Sequence, residues 1–143
     1  MTDTTHPRAS SNARSLARVG IRGLDEILRG GLPRNRIFLV DGVPGTGKTT
    51  LALQFLLEGR AQGERGLYVT LSETREELQA AAESHGWSLE GIEIVELSAL
   101  TGEGSDEAYT LFHPAEVELQ QTVEVVLAEI ERHQPQRVAF DSL

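Results

Sequence analysis

Cysteine is absent from the 143 residues, which excludes a disulfide framework, a thiol nucleophile and a thiolate metal site. Long apolar runs are absent too: none approaches the roughly 18 residues of a membrane span. The arginines of the N-terminal MTDTTHPRASSNARSLARV precede no apolar stretch, so no secretory signal is expected there. These absences point to a cytoplasmic protein without a membrane partner. Positive charge is also short, with 13 basic against 22 acidic residues and a formal net charge of −9. Binding duplex DNA through its phosphates needs a concentrated basic face, so nucleic acid is not an expected partner. Lysine is the scarcest cation. Of the 13 basic residues all but Lys48 are arginine, so one compact ammonium has been kept at one place in a chain that otherwise uses guanidinium.

What is present is a globular composition, 39% hydrophobic and 24% charged, at a length that fits one domain on the prior of ~100–200 residues each. Residues 1 to about 18 are polar and aperiodic and are expected to form a disordered lead. Leu24 to Leu28 has the pattern of a short helix, closed by Gly30-Gly31 and by Pro33. Ile37 to Val40 is a continuous apolar run, expected to be a parallel strand buried on both faces. A helix from Lys48 to about Gly59 follows, with Leu53, Leu56 and Leu57 on one side. Gly66 to Leu71 and Ile92 to Val95 are further strands. Between them Thr74 and Glu77 have the spacing of a capping box for a helix that ends before Gly86. Residues 99–112 are expected to be an irregular loop. Pro114 opens a long helix with Leu119, Val123, Val126 and Ile130 as its apolar stripe, and Arg137 to Asp141 is the last strand. Strands alternating with helices imply an α/β fold with a parallel sheet flanked by helices.

The loop between the first strand and its helix carries the chemistry. Gly42-Val43-Pro44-Gly45-Thr46-Gly47-Lys48-Thr49 fits G-x-x-x-x-G-K-[ST] at every fixed position. Glycines let successive backbone N–H groups turn inward as a nest for an anion. The helix that begins there, with Thr50 in its first turn, adds its own unsatisfied N–H groups and the positive end of its dipole. In this motif the lysine reaches the β- and γ-phosphates and the hydroxyl of Thr49 binds magnesium. A glycine-rich turn before an ordinary helix would lack this context of apolar run and amphipathic helix.

A nucleotide triphosphatase also needs a carboxylate for the magnesium shell and a base for the attacking water. Asp141 ends an apolar strand and would emerge at the carboxyl edge of the sheet, where ligands of such sheets bind. A strand-terminal aspartate that begins a turn is the competing reading. Glu73 follows a strand at the same edge, as a catalytic base or as an exposed acid in the first turn of the next helix. His6, His85, His113 and His133 show no metal-ligand spacing, and Trp87 and Phe112 suit packing better than base stacking.

Together these residues resemble the KaiC-type branch of the RecA-like P-loop ATPases, over about residues 19 to 143. The resemblance is carried by Gly20-Ile21-Arg22-Gly23-Leu24-Asp25 with Gly30-Gly31-Leu32-Pro33, by the phosphate loop (Walker A) and by Tyr68-Val69-Thr70-Leu71-Ser72-Glu73-Thr74. Ser84-His85-Gly86-Trp87 and Arg137-Val138-Ala139-Phe140-Asp141-Ser142-Leu143 complete it. It implies ATP with magnesium, assembly into a ring or filament of like subunits, Lys48 and Glu73 as catalytic residues, and Asp141 as the Walker B acid. Relatives often have two adjacent glutamates where this chain has Ser72 and Glu73, which leaves Glu73 as the base. The family's strand order would place another strand between the phosphate-loop strand and the Asp141 strand. The resemblance therefore implies an incomplete RecA-like domain, its C-terminal strands absent, from the N-terminal part of a longer product, with ATP hydrolysis weak or absent. The alternatives are a nucleotide-binding regulatory protein without turnover and a RecA-type DNA recombinase relative, the latter disfavoured by the acidity.

Overall fold

The computed structural model of the chain describes residues 15–97 and 114–141, the side chains of 114–118 excepted. The expected irregular loop at 99–112, with Phe112, and most of the expected N-terminal lead lie outside these residues. The last residues of that lead are ordered into a strand. Leu16–Ala17 (β1) pairs antiparallel with Leu32–Pro33 (β2), and Ala17 and Val19 are buried. Between them Arg22–Ile27 forms a short helix, α1. Asp25 fastens this entry segment by accepting from the backbone N–H of Val19 at 2.7 Å and of Gly20 at 3.0 Å.

The main sheet has three parallel strands in the order β4-β3-β5, where β3 is Gly66–Thr70, β4 is Ile92–Glu96 and β5 is Arg137–Asp141. Alternation along β3 sends Tyr68 to one face and Leu67 and Val69 to the other. On the Tyr68 face lie α2 (Lys48–Ala61) and α3 (Arg75–Ser84), with Leu53, Leu56, Leu78, Ala82, Ile92, Ile94 and Ala139 in one cluster. On the opposite face α4 (Pro114–His133) sets Val125, Val126 and Ile130 against Leu67, Val69, Val95 and Leu97. All five residues of β3 are buried, as expected of a central parallel strand with helices on both faces. The register aligns Thr70 with Asp141, so the ends of β3 and β5 open at one edge.

Two expectations fail. Ile37 to Val40 is not a buried strand: the segment has no ladder partner among the described residues, and Ile37 is 101% and Leu39 83% exposed. The apolar run measures a tendency to be buried, but a strand also needs a neighbour for its backbone groups. No described strand lies beside it, and β5 is left as a sheet edge with Val138 and Phe140 partly exposed. The second failure is the stripe of α4. Val126 and Ile130 face the sheet, but Leu119 and Val123 are exposed together with Leu127. The apolar arc of this helix is wider than the part the three-stranded sheet covers.

Candidate functional site

The phosphate loop leads directly into α2, and its conformation depends on glycine. Gly45 and Gly47 have φ of 84° and 88°, the left-handed region that side chains disfavour. Gly47 is the N-cap of α2, with no side-chain cap and no acid in the first turn. The first-turn N–H groups of Lys48, Thr49 and Thr50 are thus left for a ligand rather than for a neighbouring side chain. The α3 start is the opposite: Thr74 and Glu77 close a full capping box there, as the sequence spacing implied.

An open cleft of about 440 Å³ adjoins the loop, lined by Val40, Asp41, Gly42, Thr46, Lys48 and Thr50 among others. The Lys48 ammonium folds back onto the loop and donates to the carbonyl of Gly42 at 2.7 Å and of Val43 at 3.2 Å. Thr46 closes the turn, its hydroxyl donating to the Val43 carbonyl at 2.9 Å. Pro44 lies at the loop's exposed tip.

Thr49 reaches across to the sheet edge. Its hydroxyl donates to Asp141 Oδ2 at 2.9 Å over a sequence separation of 92 residues. The same oxygen accepts from the Tyr68 phenol at 2.6 Å. Glu73 stands near this pair. Its backbone is clamped by Thr70, whose hydroxyl accepts from the Glu73 N–H and donates to the Glu73 carbonyl, both at 2.9 Å. The Glu73 Oε2 is buried without a hydrogen-bond partner. Burial, then the charges of Asp141 and Glu77, push its carboxyl above the ordinary range. The structure thus brings Thr49, Asp141 and Glu73 together at the helix start, with Lys48 one residue away and turned aside.

The family model described as "ATPase: KaiC" matches residues 17–143. The chain belongs to the KaiC ATPase family. It is 34% identical over 134 residues to a UPF0273 protein of Thermotoga maritima, covering 88% of this chain and 54% of that protein. To the circadian clock oscillator protein KaiC of Parathermosynechococcus lividus it is 32% identical over 151 residues, covering 99% of this chain and 28% of the relative. The KaiC of Rippkaea orientalis is 36% identical, with 94% and 24% covered. The chain spans about half the length of the UPF0273 relative and about a quarter of the KaiC proteins. As a KaiC-family domain it has the α/β architecture that the resemblance implied.

Sequence reasoning used Tyr68 only as a letter in a family motif and missed its contact. Alternation along the strand was the available signal: it places a phenol in a cluster of leucine, isoleucine and alanine, where a hydroxyl needs a partner. Trp87 packs against that same cluster and stacks with His85, ring centroids 4.7 Å apart, in keeping with the packing role expected of it. No helix among the described residues is long and apolar enough to cross a membrane.

Proposed function

We propose that this chain is the nucleotide-binding part of a KaiC-type ATPase, taking ATP with magnesium in the loop Gly42–Thr49. The observation that carries the reading is the 2.9 Å bond between Thr49 and Asp141. It joins the motif's hydroxyl to the one carboxylate that the sequence had singled out for the metal shell. The residues fit the ligand: an uncapped, acid-free helix start, a lysine held only by loop carbonyls, and two carboxylates, Asp141 and Glu73, near the hydroxyl of Thr49.

Magnesium, when bound, would neutralise charge on the β- and γ-phosphates, held from the protein side by Thr49 and Asp141. The backbone N–H groups of Gly45, Gly47, Lys48, Thr49 and Thr50 would hold the phosphate tail, while those of Gly42 and Thr46 are bonded within the loop, to Asp41 Oδ1 and to the Val43 carbonyl. Lys48 exchanges its two carbonyl acceptors for phosphate oxygens, a charge-assisted replacement for neutral contacts. Glu73, fixed by Thr70, is the base that orients water. Its raised affinity for a proton suits a group that must accept one near neutral pH. Ser72 carries no carboxylate, so this task falls on Glu73 alone.

A second reading, nucleotide binding without turnover, is favoured by the open β5 edge and the uncovered Ile37–Val40. A phosphate loop that follows an exposed, unpaired segment lacks the rigid support that positioning chemistry needs. Calorimetry with ATP and magnesium tests the shared part of both readings. Binding that Lys48→Ala removes is the expected result; no heat on a folded sample overturns it. Turnover lost in Glu73→Gln with binding retained then selects the enzyme, and no turnover in either selects the binding module. Assembly with further copies through this domain is part of the proposal, its measure the mass in solution with and without nucleotide.

A further inference from the structure

The position of Tyr68 is unusual for a tyrosine. It sits mid-strand in β3, fully buried, with strands on both sides: Ile94 is its register partner on β4 and Ala139 on β5. Its ring is part of the apolar cluster formed with Leu53, Leu56 and Leu78. Phenylalanine would fill this space without bringing a hydroxyl into it. The hydroxyl is costly unless bonded, and its acceptor is Asp141 Oδ2, two residues beyond Ala139 on β5, at 2.6 Å.

That oxygen has two donors of different kinds. Thr49 belongs to the first turn of the helix that follows the phosphate loop, and its hydroxyl is the group assigned to the metal above. Tyr68 belongs to the central strand, and packing fixes its ring on every side. Once Thr49 turns toward a metal, Tyr68 is the donor that stays. A carboxylate at the end of an edge strand, beside the acid Glu73, otherwise has freedom to rotate away from its task.

We propose that Tyr68 is a positioning residue for the metal site, its phenol holding the Asp141 carboxylate in one orientation whether or not Thr49 is bonded to it. This rests on the reading of Thr49 and Asp141 as the metal-binding pair. It assigns the phenol a task that packing alone does not, and predicts a defect confined to the metal's contribution.

The test measures the affinity of a non-hydrolysable ATP analogue by calorimetry, in EDTA and in magnesium, for the intact chain. The ratio of the two constants is the coupling between metal and nucleotide. In Tyr68→Phe the EDTA affinity stays within about twofold of the parent, while the magnesium enhancement falls roughly tenfold, the scale of one hydrogen bond to a charged group. In an Asp141→Asn background the same change costs nothing further, because the metal-binding charge that the phenol orients is gone. An unchanged enhancement in Tyr68→Phe overturns the proposal. So does an equal loss in both backgrounds, which marks a packing effect. If Thr49→Ala and Asp141→Asn also keep the full enhancement, the metal-pair reading itself has failed, and the proposal with it.

A second measurement needs no change at Tyr68. With both tyrosines replaced by 3-fluorotyrosine, and the Tyr109 signal identified through Tyr109→Phe, the Tyr68 fluorine resonance shifts when magnesium joins bound nucleotide. It does not shift in Asp141→Asn. A resonance indifferent to magnesium in the parent protein overturns the proposal even if Tyr68→Phe cannot be folded.

Discussion

The two ends of β5 carry opposite charges and treat them in opposite ways. At its start, the Arg137 side chain is almost wholly buried and bonded through Nε and Nη1, while its Nη2 is buried without a hydrogen-bond partner among the described residues. Its Nε donates to Glu64 Oε2 at 2.5 Å, and its Nη1 to the carbonyls of Arg18 at 2.5 Å and Phe55 at 2.8 Å. Its guanidinium also lies 4.7 Å from the centre of the Phe55 ring. Gly59 makes this possible: a Cβ there would sit 2.5 Å from Arg137 Cδ, so α2 admits the side chain only where it has none of its own. At the other end, Asp141 is met by two neutral hydroxyls and, among the described residues, by no cation. The acids beside each end diverge accordingly. Burial pushes Glu64 up, but its bonds to Arg34 and Arg137 and their charges outweigh it, leaving Glu64 below the ordinary carboxylate range. Burial and Asp141 push Glu73 above it. At one end the charge is paired within the fold, by Glu64, although one guanidinium nitrogen stays unbonded. The other holds negative charge that the fold does not neutralise, which is what a cation-binding edge requires.

The sharpest way to break this contrast is at the charge-paired end. Glu64→Gln leaves the buried Arg137 without its counter-charge, and the loss is expected to be about 3 kcal/mol at pH 7, measured by urea unfolding. The pH dependence follows from the lowered value of Glu64. Its contribution is complete above the unfolded carboxylate value, ~4.5, and fades as pH falls through the lower folded value. Parent and variant stabilities should therefore converge only as pH falls below that lowered value. Nucleotide affinity in the folded fraction should be unchanged. A Glu64→Gln protein as stable as the parent at pH 7 would mean that the arginine is held by its carbonyls alone.

At the open end the same kind of change should do the reverse. Asp141→Asn keeps an acceptor for Thr49 and Tyr68 and removes charge near Glu73. Stability should change by less than about 1 kcal/mol, while the magnesium enhancement of nucleotide binding drops roughly tenfold or more. Loss of stability on the scale of Glu64→Gln would show Asp141 to be a structural group. A smaller effect again is expected at α3. Thr74→Ala removes one half of the capping box and should cost about 1 kcal/mol, leaving binding intact, because that helix start is closed by its own side chains.

How far the sequence foretold this contrast depends on the range of the interaction. Glycine spacing in the phosphate loop, the Thr74–Glu77 box and the alternation in β3, β4 and β5 are local, and all were legible. So was the placement of Asp141 at the carboxyl end of its strand, level with the end of β3, since strand polarity determines it. Arg137 was not legible as a buried staple. Its partners Glu64, Arg18 and Phe55 lie 73 to 119 residues away, and an arginine opening a strand has no pattern that separates it from a solvated one. Ile37 to Val40 failed for a related reason: four apolar residues state a preference for burial and say nothing of whether a neighbouring strand is there to receive them. The outer residues of α4 failed likewise, since helical periodicity gives the direction of a face but not the width of the surface that will cover it.

The last contrast is between the two acids themselves, and Glu73→Gln sharpens it. Glu64 stabilises the fold because its charge is matched; Glu73 places an unpartnered carboxylate oxygen in a buried position next to Asp141. Removing that charge should raise stability by up to about 1 kcal/mol at pH 7, the opposite sign to Glu64→Gln, while any hydrolysis of ATP disappears. Opposite movement of the two readouts is the signature of a group kept for chemistry at a cost to the fold. If Glu73→Gln instead lowers stability, the buried carboxylate is working for the fold, and Glu73 is a structural acid; it stands ahead of the Thr74 N-cap rather than in the first turn of α3, where the competing sequence reading had it.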